Sequence, residues 1–276
     1  MADDAHTPLA LRPLGESGLL VSPIGLGTVK LGRTAGLKYA GPSPATLPTD
    51  TQLADLLIAA KSCGINLVDT APAYGTAETR LGEHLWKVWP RDELVLCTKA
   101  GESFDTGAAA STYDFSPAAL TASIHRSLRA LRTEHLDIAL LHFASVTDDL
   151  AILKHGEALA ALAELRRSGH IRAIGISAAT LAGALWAIDH RSQAAPCDVI
   201  MLTLNAAESA MLPAIAAARA AGIGVLIKKP LASGHATFAA HAPHPVQPVI
   251  ATPGVASAII GTTNPAHLCA AAKACR

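Results

Sequence analysis

The sequence predicts a (β/α)8 TIM barrel with an N-terminal β-hairpin. Three observations predict it: eight short apolar runs alternate with helical patterns, the length suits one barrel, and ionisable residues close successive runs at one end. The 276 residues lie near the roughly 250 of this architecture and suffice for one large core, so 1–276 reads as a single barrel domain.

Leu9–Ser22 comes first and reads as two short strands around Gly15–Gly18, a hairpin at the barrel bottom. The candidate barrel strands are Ile24–Gly27, Asn66–Thr70, Leu94–Lys99, Leu136–His142, Ile171–Ser177, Asp198–Asn205, Gly224–Lys229 and Ser257–Gly261. Near-continuous apolar runs of this kind suit parallel strands buried on both faces. Three of them share one preceding grammar, a basic helix end followed by Gly: KSCGINLVDT, RRSGHIRAIGIS and RAAGIGVLIKKP. Cations suit a helix C-terminus, and Gly64, Gly169 and Gly222 suit the left-handed residue just beyond it.

The clearest helical patterns are Thr51–Ser62, Pro117–Leu131, Ile152–Arg167 and Ala207–Ala220. Thr49-Asp50 and Ser116-Pro117 supply start signals for the first two. Leu31–Leu47, Ala100–Ser116 and Ala144–Leu150 read as loops over the pocket, with Ser103, Phe104, Tyr113 and Phe143 at its mouth. Pro243, Pro245, Pro248 and Pro253 predict a short or broken seventh helix. Trp86 and Trp89 read as helix packing, and His125, His155 and His190 as ordinary helical residues.

Composition excludes several classes. Half the residues are apolar, and Lys+Arg 22 balance Asp+Glu 22 with no basic stripe, so nucleic acid is not an expected partner. No apolar run reaches the roughly 18 residues of a membrane helix, and the acidic start lacks a signal-peptide pattern. Cys63, Cys97, Cys197, Cys269 and Cys275 show no metal or redox spacing, so reduced thiols in a cytoplasmic protein without a metal are expected.

In such a barrel, chemistry sits at the C-terminal strand ends. Strand two ends near Asp69, strand three at Lys99, strand four at His142, strand five at Ser177, strand six near Asn205 and strand seven at Lys228-Lys229. Charges closing apolar strands are costly unless paired. Tyr74 follows Asp69 in the loop over the same mouth. A nearby ammonium favours phenolate, so Lys99, held by Asp69, would make Tyr74 a usable proton donor to a carbonyl oxygen. His142 would polarise the same oxygen. Hydride has to come from a cofactor, since no side chain supplies it.

The segments GINLVDTAPAYGTAETRLGEHL, LVLCTKAG, LDIALLH and IRAIGIS resemble the aldo-keto reductase family from about Arg12 onward. The resemblance implies a catalytic tetrad of Asp69, Tyr74, Lys99 and His142, with Tyr74 the proton donor. It implies an extended dinucleotide, NADP(H) with NAD(H) left open, and a small carbonyl or alcohol substrate. It assigns cofactor contacts to Gly27, Thr28, Ser177, Lys229, Leu231, Gly261, Thr262, Thr263 and His267, with anion binding at the helix start after the last strand. Several family positions differ: Ala178, Met201, Leu204 and Ala270-Ala271 stand where hydrogen-bonding or stacking groups are usual. This thinning keeps a second reading open beside the enzyme, a non-catalytic barrel that senses nicotinamide or binds a partner.

Overall fold

The computed structural model describes residues 9–37, 46–144, 146, 148–193, 195–234 and 244–276. The chain opens with an antiparallel hairpin, β1 (Arg12–Pro13) and β2 (Leu20–Val21). Then come β3 (Ile24–Gly27), β4 (Leu67–Asp69) and β5 (Val95–Ala100), followed by a second hairpin, β6 (Glu102–Asp105) and β7 (Ala110–Tyr113). The sheet is completed by β8 (Leu136–His142), β9 (Ile171–Ser177), β10 (Val199–Thr203), β11 (Gly224–Lys228) and β12 (Val255–Gly261). Strands β3, β4, β5, β8, β9, β10, β11 and β12 pair in parallel in that order, and β12 pairs back onto β3 to close the barrel.

Alternation along each strand sorts the side chains into two cores. Leu67, Val95, Cys97, Ile138, Leu140, Ala173, Leu226 and Ile259 fill the inside. Val68, Leu96, Ala139, Leu141, Ile174 and Ile227 face the helix layer. Counting on by twos from the inner set reaches Asp69, Lys99, His142, Ser177, Lys228 and Gly261, so these residues stand over the packed interior. At the opposite end, Leu14, Leu19 and Val21 of the first hairpin join the inner core and plug the bottom, as expected.

The helices follow their start signals. Along the chain they are α1 (Val29–Gly32), α2 (Asp50–Ser62), α3 (Ala77–His84), α4 (Pro117–Leu131), α5 (Asp149–His155), α6 (Glu157–Arg167), α7 (Leu181–Asp189), α8 (Leu212–Ala220), α9 (Val246–Ala251) and α10 (Pro265–Lys273). Thr49 caps α2 in a reciprocal box with Gln52, and Ser116 accepts from Ala119 N–H at the start of α4. The short α9 contains Pro248, in keeping with its proline-rich sequence; 235–243 of that segment lie outside the described residues. Trp89 is buried in the outer core, and Trp86 donates to Leu131 O.

Four expectations need correction. The 152–167 pattern is two helices, because Gly156 at φ +74° ends α5 and starts α6. The pattern from Ala207 becomes helical only at Leu212, since Asn205 Oδ1 accepts from the Ala207 and Glu208 N–H groups and holds a turn there. The 100–116 segment is not merely loop: Asp105 Oδ1 accepts from Gly107 and Ala108 N–H and closes the β6–β7 hairpin. Cys63 and Cys269 are not free thiols. They form a disulfide with Cα atoms 5.7 Å apart, because the end of α2 lies beside α10. Cys97 and Cys197 remain buried thiols, and burial pushes the latter up to about 12. Among the described residues no helix is long and apolar enough to cross a membrane.

Candidate active site

Asp69, Lys99 and His142 close three neighbouring strands, β4, β5 and β8, and the chain after β4 brings Tyr74 to them. Tyr74 ends a 3-10 turn, Pro72–Tyr74, which packs against α1. Gly75 at φ +64° and Gly32 allow this approach. A side chain on Gly75 would strike Gly32 O, and one on Gly32 would strike Ala77 N.

Lys99 is almost fully buried, at 1% exposure. Its Nζ donates to Asp69 Oδ1 at 2.7 Å, Thr70 O at 2.8 Å and the Tyr74 hydroxyl at 3.2 Å. These three acceptors match the three protons of an ammonium. Burial opposes the charge, but Asp69, with Tyr74 and Cys97, more than offsets it and raises the pKa of Lys99 above its ordinary value. Thr28 supports Asp69 from β3's end: its N–H and Oγ1 both donate to Asp69 O.

His142 lies edge-on to Tyr74, with ring centroids 6.0 Å apart. Its Nδ1 is 2.8 Å from Glu102 Oε2, a contact that becomes an ion pair only when the ring is protonated. Glu102 also accepts from Ser111 at 2.5 Å and from Tyr113 at 3.4 Å. Burial lowers the pKa of His142, Lys99 adds to this, and Glu102 works against it. Burial also opposes the charge of Glu102, but His142, Ser111 and Arg33 outweigh it and hold the carboxyl below its usual range.

Two adjoining cavities open here. The first, about 280 Å3, is lined by Asp69, Tyr74, Lys99 and His142 together with Gly27, Thr28, Ser177 and Lys228. The second, about 520 Å3, is lined by Lys30, Leu231, Thr262 and His267 among others. Lys229, Ile259 and Gly261 border both, so the pair forms one extended trough across the ends of β11 and β12.

The sequence profile of the Aldo/keto reductase family matches residues 23–275. The chain belongs to that family. A Pseudomonas aeruginosa protein assigned to the aldo-keto reductases superposes with a TM-score of 0.80 at 42% identity, covering 96% of this chain and 95% of that one. L-galactose dehydrogenase from Arabidopsis thaliana is 30% identical over 83% of this chain and 67% of its own length. The NADH-specific methylglyoxal reductase of Escherichia coli is 33% identical over 59% of this chain, and the match spans 50% of that relative's length.

This aldo-keto reductase brings together most of the residues its sequence singled out, with exceptions. Gly27, Thr28, Ser177, Lys229 and Gly261 line the first cavity, while Lys229, Leu231, Gly261, Thr262 and His267 line the second. Thr263 borders neither; it faces a separate depression with Gln52 and Asp55. At the start of α10 some backbone donors are already taken: Thr262 Oγ1 accepts from Asn264 N–H, and Asn264 Oδ1 from Ala266 N–H. Ser103, Phe104, Tyr113 and Phe143 do not line the first cavity. Phe104 lies under the Arg33 guanidinium, and Phe143 is buried against Phe115. Leu204 packs in the outer core, whereas Met201 reaches the cavity.

One residue escaped the sequence reading. Glu102 lies in a segment read as loop, and only the hairpin turns it onto His142. Lys228 was legible by parity, since it lies two residues beyond the inward Leu226. Its Nζ donates to Ser177 Oγ at 3.0 Å and Ala178 O at 2.8 Å. Lys229 is exposed in a left-handed conformation, φ +55°, and Asn205 Nδ2 donates to its carbonyl.

Proposed function

We propose that this aldo-keto reductase transfers hydride between NADP(H) and a small aldehyde, ketone or alcohol, with Tyr74 as general acid and base. The observation that carries the reading is one ammonium in simultaneous contact with the Asp69 carboxylate and the Tyr74 hydroxyl.

The residues present fit an extended dinucleotide. The two cavities share a border, basic side chains Lys30, Lys229 and His267 lie along the second, and Gly27 and Gly261 leave room at the strand ends. Gly27, Thr28 and Ser177 would hold the nicotinamide end; Lys229, Leu231, Gly261, Thr262 and His267 would hold the phosphates and adenosine. Thr263 has the least support, because it faces away from the trough. The bound nicotinamide supplies hydride.

The chain's own groups handle the proton. In reduction, Tyr74 gives its hydroxyl proton to the carbonyl oxygen as hydride reaches the carbon. Lys99 stabilises the negative charge left on the phenol oxygen, and Asp69 keeps Lys99 protonated and oriented. In the reverse direction the phenolate takes the proton from the alcohol. His142 is neutral at rest because burial disfavours its charged form. Glu102 favours a proton on Nδ1, so the ring donates to the substrate oxygen only when it takes up a second proton. Glu102 is the group that stabilises that imidazolium.

Tyr74→Phe tests the reading. The expected result is a loss of kcat of about 10²–10⁴-fold on a carbonyl panel, with nicotinamide binding kept in fluorescence titration. NADPH is expected to bind about tenfold more tightly than NADH, consistent with one charge-assisted contact to the extra phosphate. Wild-type protein that binds cofactor and reduces no carbonyl would favour a non-catalytic, nicotinamide-sensing barrel.

A further inference from the structure

The first cavity has two sides. Ser177, Lys228 and Gly261 close the strands β9, β11 and β12, whereas Arg33, Glu102 and Ser111 come from the loop after α1 and from the β6–β7 hairpin. None of this second group borders the second cavity, so it stands apart from the dinucleotide trough.

Arg33 joins three segments of that side. Its Nε donates to Ala35 O at 2.9 Å and its Nη2 to Gly36 O at 3.3 Å, within its own loop. Its Nη1 donates at 3.3 Å to the carbonyl of Ala73, the residue before Tyr74. The guanidinium lies 3.4 Å from the centre of the Phe104 ring. Phe104 is two residues beyond Glu102 on β6, so both point to the same face of the hairpin. Gly36 lets the loop pass over this stack, since a Cβ there would come within 2.8 Å of Arg33 Nη2. One planar cation therefore ties the Tyr74 turn to the arm that carries Glu102 to His142.

Its charge acts at the same place. Reduction leaves the Tyr74 oxygen negative, and oxidation starts from that state. Lys99 faces this oxygen, but Asp69 is 2.7 Å from the same ammonium and cancels much of its field. Glu102 adds a second carboxylate, and burial keeps its partner His142 neutral at rest. Arg33 offsets that carboxylate. A guanidinium stays charged at any working pH, the hydrogen-bond partners of this one are carbonyl oxygens, and Glu102, Tyr74 and Tyr113 act on it through space. Other charged groups around the turn are engaged elsewhere. Lys228 donates to Ser177 and Ala178, Glu78 of α3 accepts from Thr98 and Ser127, Arg80 of α3 pairs with Asp50, and Lys30 of α1 lines the second cavity.

We propose that Arg33 is a positioning residue for proton transfer, holding the Tyr74 turn against the hairpin and supplying a second positive charge that favours the phenolate. The proposal rests on the reductase reading above and deepens it. Without the guanidinium, Asp69 and Glu102 face Tyr74 with Lys99 alone against them, so the phenol keeps its proton to higher pH.

The test begins without cofactor. Ionisation of Tyr74 is read from phenolate ultraviolet absorbance, with and without Tyr74→Phe in each background, which removes the signals of Tyr39 and Tyr113. Arg33→Met is expected to raise the Tyr74 midpoint by about one pH unit. Arg33→Lys keeps a charge and is expected to recover about half of that shift, since an ammonium lacks the flat fork. Phe104→Leu keeps the charge but removes its platform, and a rise of about half a unit is expected. In the second arm, the acidic limb of kcat/KM for alcohol oxidation is expected to move up with the Arg33→Met midpoint, a loss of about tenfold below the limb. NADPH affinity is expected to stay within about twofold of wild type in all three variants.

A Tyr74 midpoint that ignores both Arg33→Met and Phe104→Leu overturns the proposal. So does a shift as large in Arg33→Lys as in Arg33→Met, the result expected of a loop that needs only its native hydrogen bonds. A shifted midpoint with no turnover of any carbonyl or alcohol supports the action of Arg33 on Tyr74 and counts against the reductase reading. Arg33 and Phe104 are both half-buried and lie outside the barrel core, and Phe104→Leu keeps the test available if an Arg33 variant fails to fold.

Discussion

At the residue scale the site is built from opposed charges. Lys99 and Asp69 are a buried pair, and removing one partner of such a pair costs about 3–5 kcal/mol, so Asp69→Asn is expected to lower the urea midpoint substantially. The pair's contribution has a definite pH sign. Because the pKa of Lys99 is raised in the fold, the stability is fully present below the unfolded lysine value and is lost only as pH rises through the folded one. His142 behaves oppositely. Its lowered pKa means that the neutral ring stabilises the fold above its ordinary 6.5 and that this contribution falls in acid below it. Glu102 is the partner that props the value up, so in Glu102→Gln the ring should titrate at lower pH than in wild type when followed by NMR. The same change is expected to lower kcat/KM about tenfold or more, since it removes support for the donor state. An unchanged titration would show that the 2.8 Å approach carries no coupling.

At the element scale, hydrogen bonds from inside the helix layer set where the strands and helices sit. Glu78 on α3 accepts from Thr98 of β5 at 2.6 Å and Ser127 of α4 at 3.1 Å. Burial raises its pKa, more than its two hydroxyl partners lower it. The protonated acid is therefore the form the fold prefers, so its contribution is complete below the ordinary 4.5 and is lost as pH rises through the folded value. Glu78→Gln should hold or gain stability at pH 7, while Glu78→Ala should lose about 1–3 kcal/mol by leaving hydroxyls unmatched; thermal melts at pH 5 and 8 separate the two. Gly156 gives a second, independent measurement. An added Cβ there meets nothing, so Gly156→Ala reports backbone cost alone, about 1 kcal/mol for a left-handed alanine in urea unfolding. The sequence showed the amphipathic stripe on both sides of Gly156 but not the break. A glycine inside a helical pattern is compatible with continuation or a cap, and the packing of α5 and α6 decided it.

At the scale of the whole molecule, closure depends on contacts far apart in sequence. Cys63 and Cys269 are 206 residues apart, and their bond ties α2 to α10, whose first turn borders the second cavity. Cross-linking so distant a pair restricts the unfolded chain, and removing a native disulfide costs about 2–5 kcal/mol. Reduction, or a Cys63→Ser/Cys269→Ser double substitution, should lower the thermal midpoint to the same value in both cases. Different midpoints would mean that strain or side-chain packing, not the cross-link, controls the effect. Below the barrel, the fully buried Asp137 joins Arg91 at 2.8 Å and Arg172 at 2.7 Å, and also accepts from Leu96 N–H, so β5, β8 and β9 share one carboxylate there.

By itself the sequence determined the barrel, the strand ends and the four residues that gather there. Periodicity and helix-end chemistry are local, and parity along a strand fixes which residues face inward once the strand is placed. The same parity turns Lys228 into the barrel mouth once the strand is placed, two residues beyond the inward Leu226. Only the tertiary structure decided the Glu102 approach to His142, the disulfide, the exclusion of Thr263 from the trough and the split between two cavities. Each of these depends on how a turn directs a short segment, or on which distant helices become neighbours. Such distances between residues remote in sequence are fixed by packing the whole chain, and no local pattern encodes them.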